Sequence, residues 1–176
     1  MCKYIIFSPL ILIFCFIFLD RPQRYRLIIA SKQVEVIDGD TIRIRPNGLK
    51  VRLFGIDAPE LSQLSFDKKP IGLYAKTFLT NLVGEKPIEI EITGKGYYGR
   101  SIGLIYNKGR KTSFNYLMVS QGYSVLFSRS RYSSRRQKRI WQDAFSYAYI
   151  NRLGLWKTKG FYSPKTYRKK VRALNQ

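Results

Sequence analysis

The chain has 176 residues, 45% of them hydrophobic and 15% aromatic, which suffices for one domain of ordinary size with its own core. Its formal charge is +21; after residue 30, 28 Lys and Arg stand against ten acids, and this +18 points to a polyanionic partner, nucleic acid first and an anionic membrane surface second. Histidine is absent, which excludes a Ser-His-Asp triad, a His general base and His-ligated zinc within one chain. The only cysteines, Cys2 and Cys15, fall in the N-terminal apolar segment, so the remainder needs no disulfide.

Residues 4–19 form an uncharged apolar run. As a helix it spans roughly 24 Å against a hydrocarbon core of roughly 30 Å. That length suits either a signal-peptide apolar region or a short uncleaved anchor, and both readings stand. No small-residue cleavage site follows directly, and positive charge is greater after the run than before it, which by the positive-inside rule favours a cytoplasmic domain. We nevertheless expect export, with the protein secreted or anchored to the membrane through this segment. Residues 20–31 read as a basic linker.

From Lys32 the alternation changes to period two. Val34–Ile37 reads as a strand, Asp38-Gly39 as a tight turn and Thr41–Arg45 as the returning strand. After Pro46-Asn47-Gly48, a third strand over Leu49–Ile56 places Val51 and Leu53 on one face and Arg52, Phe54 and Ile56 on the other. Pro70 fits a first helical position, with Ala75, Phe78, Leu79 and Leu82 at helical spacing and Gly84 as the stop. A fourth strand over Pro87–Thr93 turns Ile88, Ile90 and Ile92 inward, and a fifth runs over Ser101–Tyr106. Ser113 caps a helix stopped by Gly122, and Ser133 or Ser134 caps a last one stopped by Gly154. The tail after Lys157 is basic and reads as loosely ordered and solvated. The result is an α+β domain: a five-stranded barrel of the OB type with three helices, over residues 32–157, preceded by the hydrophobic segment and linker (1–31) and followed by the tail (158–176).

Four of the ten acids after residue 30, Asp38, Asp40, Asp57 and Glu60, lie within 23 residues of so basic a chain. They sit on two turns, one in the first hairpin and one after the third strand. Unrelated turns are the bland explanation. A site for a hard, oxygen-seeking divalent cation explains the concentration, with two or three carboxylates, a backbone carbonyl and water as ligands. Arg52 and Arg100 suit a phosphate, because a guanidinium stays protonated and donates paired hydrogen bonds. Each piece alone is weak; their order and spacing carry the signal.

Those pieces resemble the staphylococcal nuclease-like (thermonuclease) family. The matching residues are VIDGDT at Val36–Thr41, VRLFGIDAPE at Val51–Glu60, Pro70-x-Gly72 with Ala75, Tyr98-Gly99-Arg100, Asn115-x-x-x-Val119 with Gly122, and Leu155-Trp156. The resemblance implies an OB-fold and calcium-dependent cleavage of DNA and RNA; a monomer is expected. It implies Asp40, Asp57 and the Ala58 backbone carbonyl as calcium ligands, and Glu60 as general base or water-orienting group. Arg52 and Arg100 become the phosphate-binding arginines, Tyr98 a residue near the substrate phosphate, and Asp38 a residue behind the metal ligands. There are departures. Gly96 stands where the family often has an acid, Tyr74 where it often has Glu, and Ser128 and Ser130, flanking Arg129, where tyrosines meet the base. Weaker base stacking and stronger backbone attraction are expected. The alternatives are a catalytically inactive OB-fold module that binds nucleic acid, and a membrane-tethered interaction protein that uses its charge on lipid.

Overall fold

The computed structural model describes residues 25–175 apart from 97–98, 110, 129 and 131–133. The apolar run at 4–19 and both cysteines lie outside the described residues, as do Tyr98 and Arg129. Among the described residues no helix is long and apolar enough to cross a membrane.

The strands are β1 (Tyr25–Ile29), β2 (Val34–Asp38), β3 (Thr41–Ile44), β4 (Leu49–Leu53), β5 (Ile56–Asp57), β6 (Ile88–Lys95), β7 (Ser101–Asn107) and β8 (Val125–Leu126). The helices are α1 (Ile71–Val83), α2 (Phe114–Ser120), α3 (Arg135–Ile150) and α4 (Pro164–Leu174). Six strands form one sheet in the order β1-β6-β7-β4-β3-β2, and β5 pairs with β8 in a small second sheet. The architecture is α+β and consistent with an OB-like fold.

Alternation decides which face of each strand is buried. Ile88, Ile90 and Ile92 of β6 turn inward and join Ile42, Ile44, Val51, Leu53 and Ile105 in one core, closed by Ala75 and Leu79 of α1, Phe114 and Met118 of α2 and Trp141 of α3. The outward residues of β6, Glu89 and Glu91, accept from Arg26 of β1. The stretch read as a linker therefore contains a strand, paired with β6 from Tyr25↔Ile92 to Ile29↔Ile88. Its basic residue disguised it.

The third strand ends at Leu53, earlier than its alternation implies. Gly55 adopts φ +83°, and a Cβ there would lie 2.9 Å from the Trp141 ring. Only glycine turns the chain here without strain. The turn is braced by the fully buried Asn115, whose Oδ1 accepts from Ile105 N and whose Nδ2 donates to Phe54 O and Gly103 O. The chain resumes as β5, which carries Asp57 into the second sheet.

The tail is the larger correction. It is not loosely ordered: Ser163 accepts from Thr166 N as an N-cap, Pro164 occupies the first turn, and α4 follows for 11 residues. Phe66 meets Tyr162 edge-on, the buried Gln63 donates through Nε2 to Tyr162 O, and Phe66 N donates to Gly160 O. The count of five strands and three helices thus becomes a six-stranded sheet, a two-stranded sheet and four helices among the described residues.

Candidate active site

Backbone pairing brings the two acidic turns together. Thr41 of β3 stands opposite Arg52 of β4, and Leu53 N donates to Asp40 O at 2.8 Å. Asp38 Oδ1 accepts from Asp40 N at 2.9 Å, an Asx-type turn that fixes the hairpin tip. Asp40 Oδ2 accepts from Ala58 N at 3.0 Å across 18 residues of chain, which joins the first turn to the second. The second turn is then seated on α1. A Cβ on Gly72 would lie 1.8 Å from Glu60 O, so the first turn of α1 must be glycine for the Glu60–Leu61 backbone to pass this close.

Asp40 and Asp57 are each only 3% exposed. Arg52 bridges them: Nη1 donates to Asp40 Oδ1 and Nη2 to Asp57 Oδ1, both at 2.9 Å. Thr41 Oγ1 also donates to Asp40 Oδ1 at 3.0 Å. Burial pushes the Asp40 carboxyl up to about 7. Arg52 and the Ala58 N–H work against that shift, while Asp38 and Asp57 add to it. Arg52 and the Ala58 N–H do not fully offset the desolvation of Asp40.

Asp57 Oδ2 and Glu60 Oε1 are taken by a residue absent from the sequence reading. Arg168 of α4 donates through Nη2 to Asp57 Oδ2 at 2.8 Å, and through Nη1 to Glu60 Oε1 at 2.7 Å and Asp57 Oδ1 at 3.2 Å. Burial alone would lower the Arg168 pKa, but its hydrogen bonds to Asp57 and Glu60 outweigh that and hold it above the usual arginine value. Next to it, Tyr167 and Ser62 share a hydroxyl–hydroxyl hydrogen bond at 3.1 Å. Ser163-Pro164, a cap residue followed by proline, is a sequence signal that could have found this helix, but the reading of a basic tail did not use it.

The geometry gathers Asp38, Asp40, Arg52, Asp57, Ala58 and Glu60 in one place. Arg100 immediately precedes β7, the parallel neighbour of β4, where Arg52 stands beside Ile102. Its side chain is partly exposed and makes no ion pair among the described residues. It takes no part in the carboxylate network among the described residues. Ser128 is exposed and Ser130 partly so. They follow β8, whose Val125 pairs with Asp57, so the segment expected to meet the nucleotide base begins at the site.

The donor set suits an oxygen-seeking cation. Asp40, Asp57 and Glu60 share two guanidiniums, and the Asp40 carboxyl stays raised despite Arg52. Among the described residues no group of three or more acids, cysteines or histidines closes into a ready-made metal cage. Arginine nitrogens lie between the carboxylates instead.

Sequence comparison accords with this arrangement. The profile of the staphylococcal nuclease homologue family matches residues 50–158. An uncharacterized endonuclease of Haemophilus influenzae is 31% identical over 139 residues, covering 77% of this chain and 71% of that protein. An uncharacterized endonuclease of Escherichia coli is 28% identical over 128 residues, covering 66% and 79%. A probable endonuclease of Arthroderma otae is 24% identical over 148 residues, 76% of this chain and 50% of its own length. The chain thus spans about half the length of that fungal relative. The shared profile, together with two acidic turns locked around Arg52, leads to one conclusion: the chain belongs to the staphylococcal nuclease homologue family.

Proposed function

We propose that the protein is a calcium-dependent nuclease that hydrolyses phosphodiester bonds of DNA and RNA without sequence preference. The observation that carries this reading is the buried pair Asp40 and Asp57, bridged by Arg52 and flanked by Glu60. The family and the endonuclease names of the relatives support it.

Asp40, Asp57 and the Ala58 carbonyl would hold the cation, which when bound offsets phosphate charge and fixes the substrate. The rest follows from the chain's own side chains. Arg52 uses two of its five N–H donors on Asp40 and Asp57, which leaves three for a phosphate oxygen. Arg100, without an anionic partner among the described residues, supplies a second guanidinium from the edge of the site. The two together stabilise the added negative charge of a pentavalent phosphorus. Glu60, more exposed than either aspartate with 41% of its side chain accessible, orients a water or takes its proton. The surplus of Lys and Arg draws in the polyanion and sets a strong salt dependence. The apolar run at 4–19 supports export.

The test is release of acid-soluble nucleotides from DNA and from RNA, with calcium and with excess chelator. Release that stops in chelator supports the reading. Undiminished release in chelator contradicts the metal role. Salt-sensitive binding without cleavage under any divalent metal would make the protein a binding module instead.

A further inference from the structure

Helix α4 is a poor candidate for a structural element in its own right. Beyond Pro164 none of its residues is buried, and Leu174 is 85% exposed. It carries Lys165, Arg168, Lys169, Lys170 and Arg172, so its own charges repel. Lys170 lies over the Tyr162 ring at 3.8 Å, a contact within the extension itself. Against the body of the protein, its side chains are held by the Tyr167–Ser62 hydrogen bond and by Arg168. An element with so little apolar burial is held at the low end of the local-stability scale.

Arg168 is nevertheless placed with full use of its fork. One guanidinium contacts both oxygens of Asp57 and one oxygen of Glu60. These are the oxygens that the proposed reaction needs free, Asp57 for the cation and Glu60 for water. A positive group within hydrogen-bond distance of both occupies the same electrostatic well as a divalent ion and cannot share it.

We propose that Arg168 is a further working residue of the site, a built-in guanidinium that occupies Asp57 in the cation's stead, engages Glu60 beside it, and must leave before the cation enters. This rests on the reading of Asp40 and Asp57 as a cation site. In the closed arrangement the acids are neutralised and Glu60 is engaged; in the open one α4 is released and its basic side chains become available to a polyanion. Cation and substrate phosphate favour the same open state, so each promotes the other. If the closed state dominates by about ten to one, the apparent calcium affinity is weakened about tenfold.

The test is calorimetric titration of calcium into the full-length wild type, Arg168→Ala and Lys169→Ala, without nucleic acid. Lys169 is the exposed neighbour and controls for simple loss of charge. Arg168→Ala is expected to bind calcium about tenfold more tightly than wild type, with Lys169→Ala within about twofold of wild type. Amide hydrogen exchange over 164–174 in the wild type is expected to speed up on calcium addition. Equal affinity of Arg168→Ala and wild type, or weaker binding by Arg168→Ala, would overturn the inference while leaving the cation site intact. Unchanged or slower exchange in calcium-bound wild type would overturn it as well. Absence of calcium binding in all three proteins would overturn both the inference and the cation reading beneath it.

Discussion

The two acidic turns and the C-terminal helix meet at Asp57 and Glu60, yet they are held there by different physics. The turns are fixed by strand pairing, by the Asp40–Ala58 hydrogen bond and by the close pass over Gly72. Asp40 and Asp57 are almost fully buried. The helix arrives through one arginine and one hydroxyl pair, with its outer turns in solvent. The comparison teaches that Asp40 and Asp57 are placed by backbone pairing and close packing, while the helix that reaches Asp57 has little apolar burial to hold it.

The sharpest way to break the buried half is Arg52→Ala. It leaves Asp40 and Asp57 facing each other with their shared cation gone, and removing one partner of a buried charged network costs about 3–5 kcal/mol. Urea unfolding at pH 8 without calcium is expected to show a loss in this range. At pH 5 the loss is smaller, because Asp40 can take a proton. An equal loss at both pH values would show that the two carboxylates are not coupled through Arg52.

Glu60 separates chemistry from binding. Glu60→Gln keeps shape and hydrogen-bond reach but cannot accept a proton. Cleavage of DNA is expected to fall about 100- to 1,000-fold, within the range for loss of a general base. Calcium binding should persist. An unchanged rate would remove Glu60 from the mechanism.

The pH profile of stability sharpens the account of Asp40. Its carboxyl titrates at 3.8 in the unfolded chain and at about 7 in the folded one. Between those values the folded state binds more protons than the unfolded state, so stability falls as pH rises through the window. The slope is at most about 1.4 kcal/mol per pH unit. Asp40→Asn is expected to flatten it, and calcium should stabilise the wild type more at pH 8 than at pH 5. A wild-type profile that rises between pH 4 and 7 would contradict this.

The smallest effect is expected at the opposite edge of the sheet. Arg26 pairs with Glu89 and Glu91, but its side chain is 66% exposed. Arg26→Ala should change stability by less than about 0.5 kcal/mol in thermal unfolding and leave cleavage unchanged.

The legible part of the molecule is the part governed by local periodicity. Ile88, Ile90 and Ile92 announced an inward face, Asp38-Gly39 a turn, and Ser113 and Gly122 the ends of a helix. The meeting of the turns that carry Asp40, Asp57 and Glu60 was legible too, from the concentration of acids in a basic chain and from their order and spacing. Strand β1 was not, since its pairing with β6 links residues 59 to 67 positions apart and its basic side chain finds acids only in three dimensions. Helix α4 was hidden for a related reason. High charge without an apolar stripe reads as a solvated tail, and the acids that attract Arg168 lie more than 100 residues earlier. Long-range charge pairing leaves no period in a sequence.

The central claim is that the two turns jointly hold one cation. It is tested most directly by calorimetric titration of calcium into the wild type and into Asp57→Asn, without nucleic acid. The account predicts one calcium site in the wild type and its loss, or at least a hundredfold weakening, in Asp57→Asn. Equal binding by both proteins would contradict it.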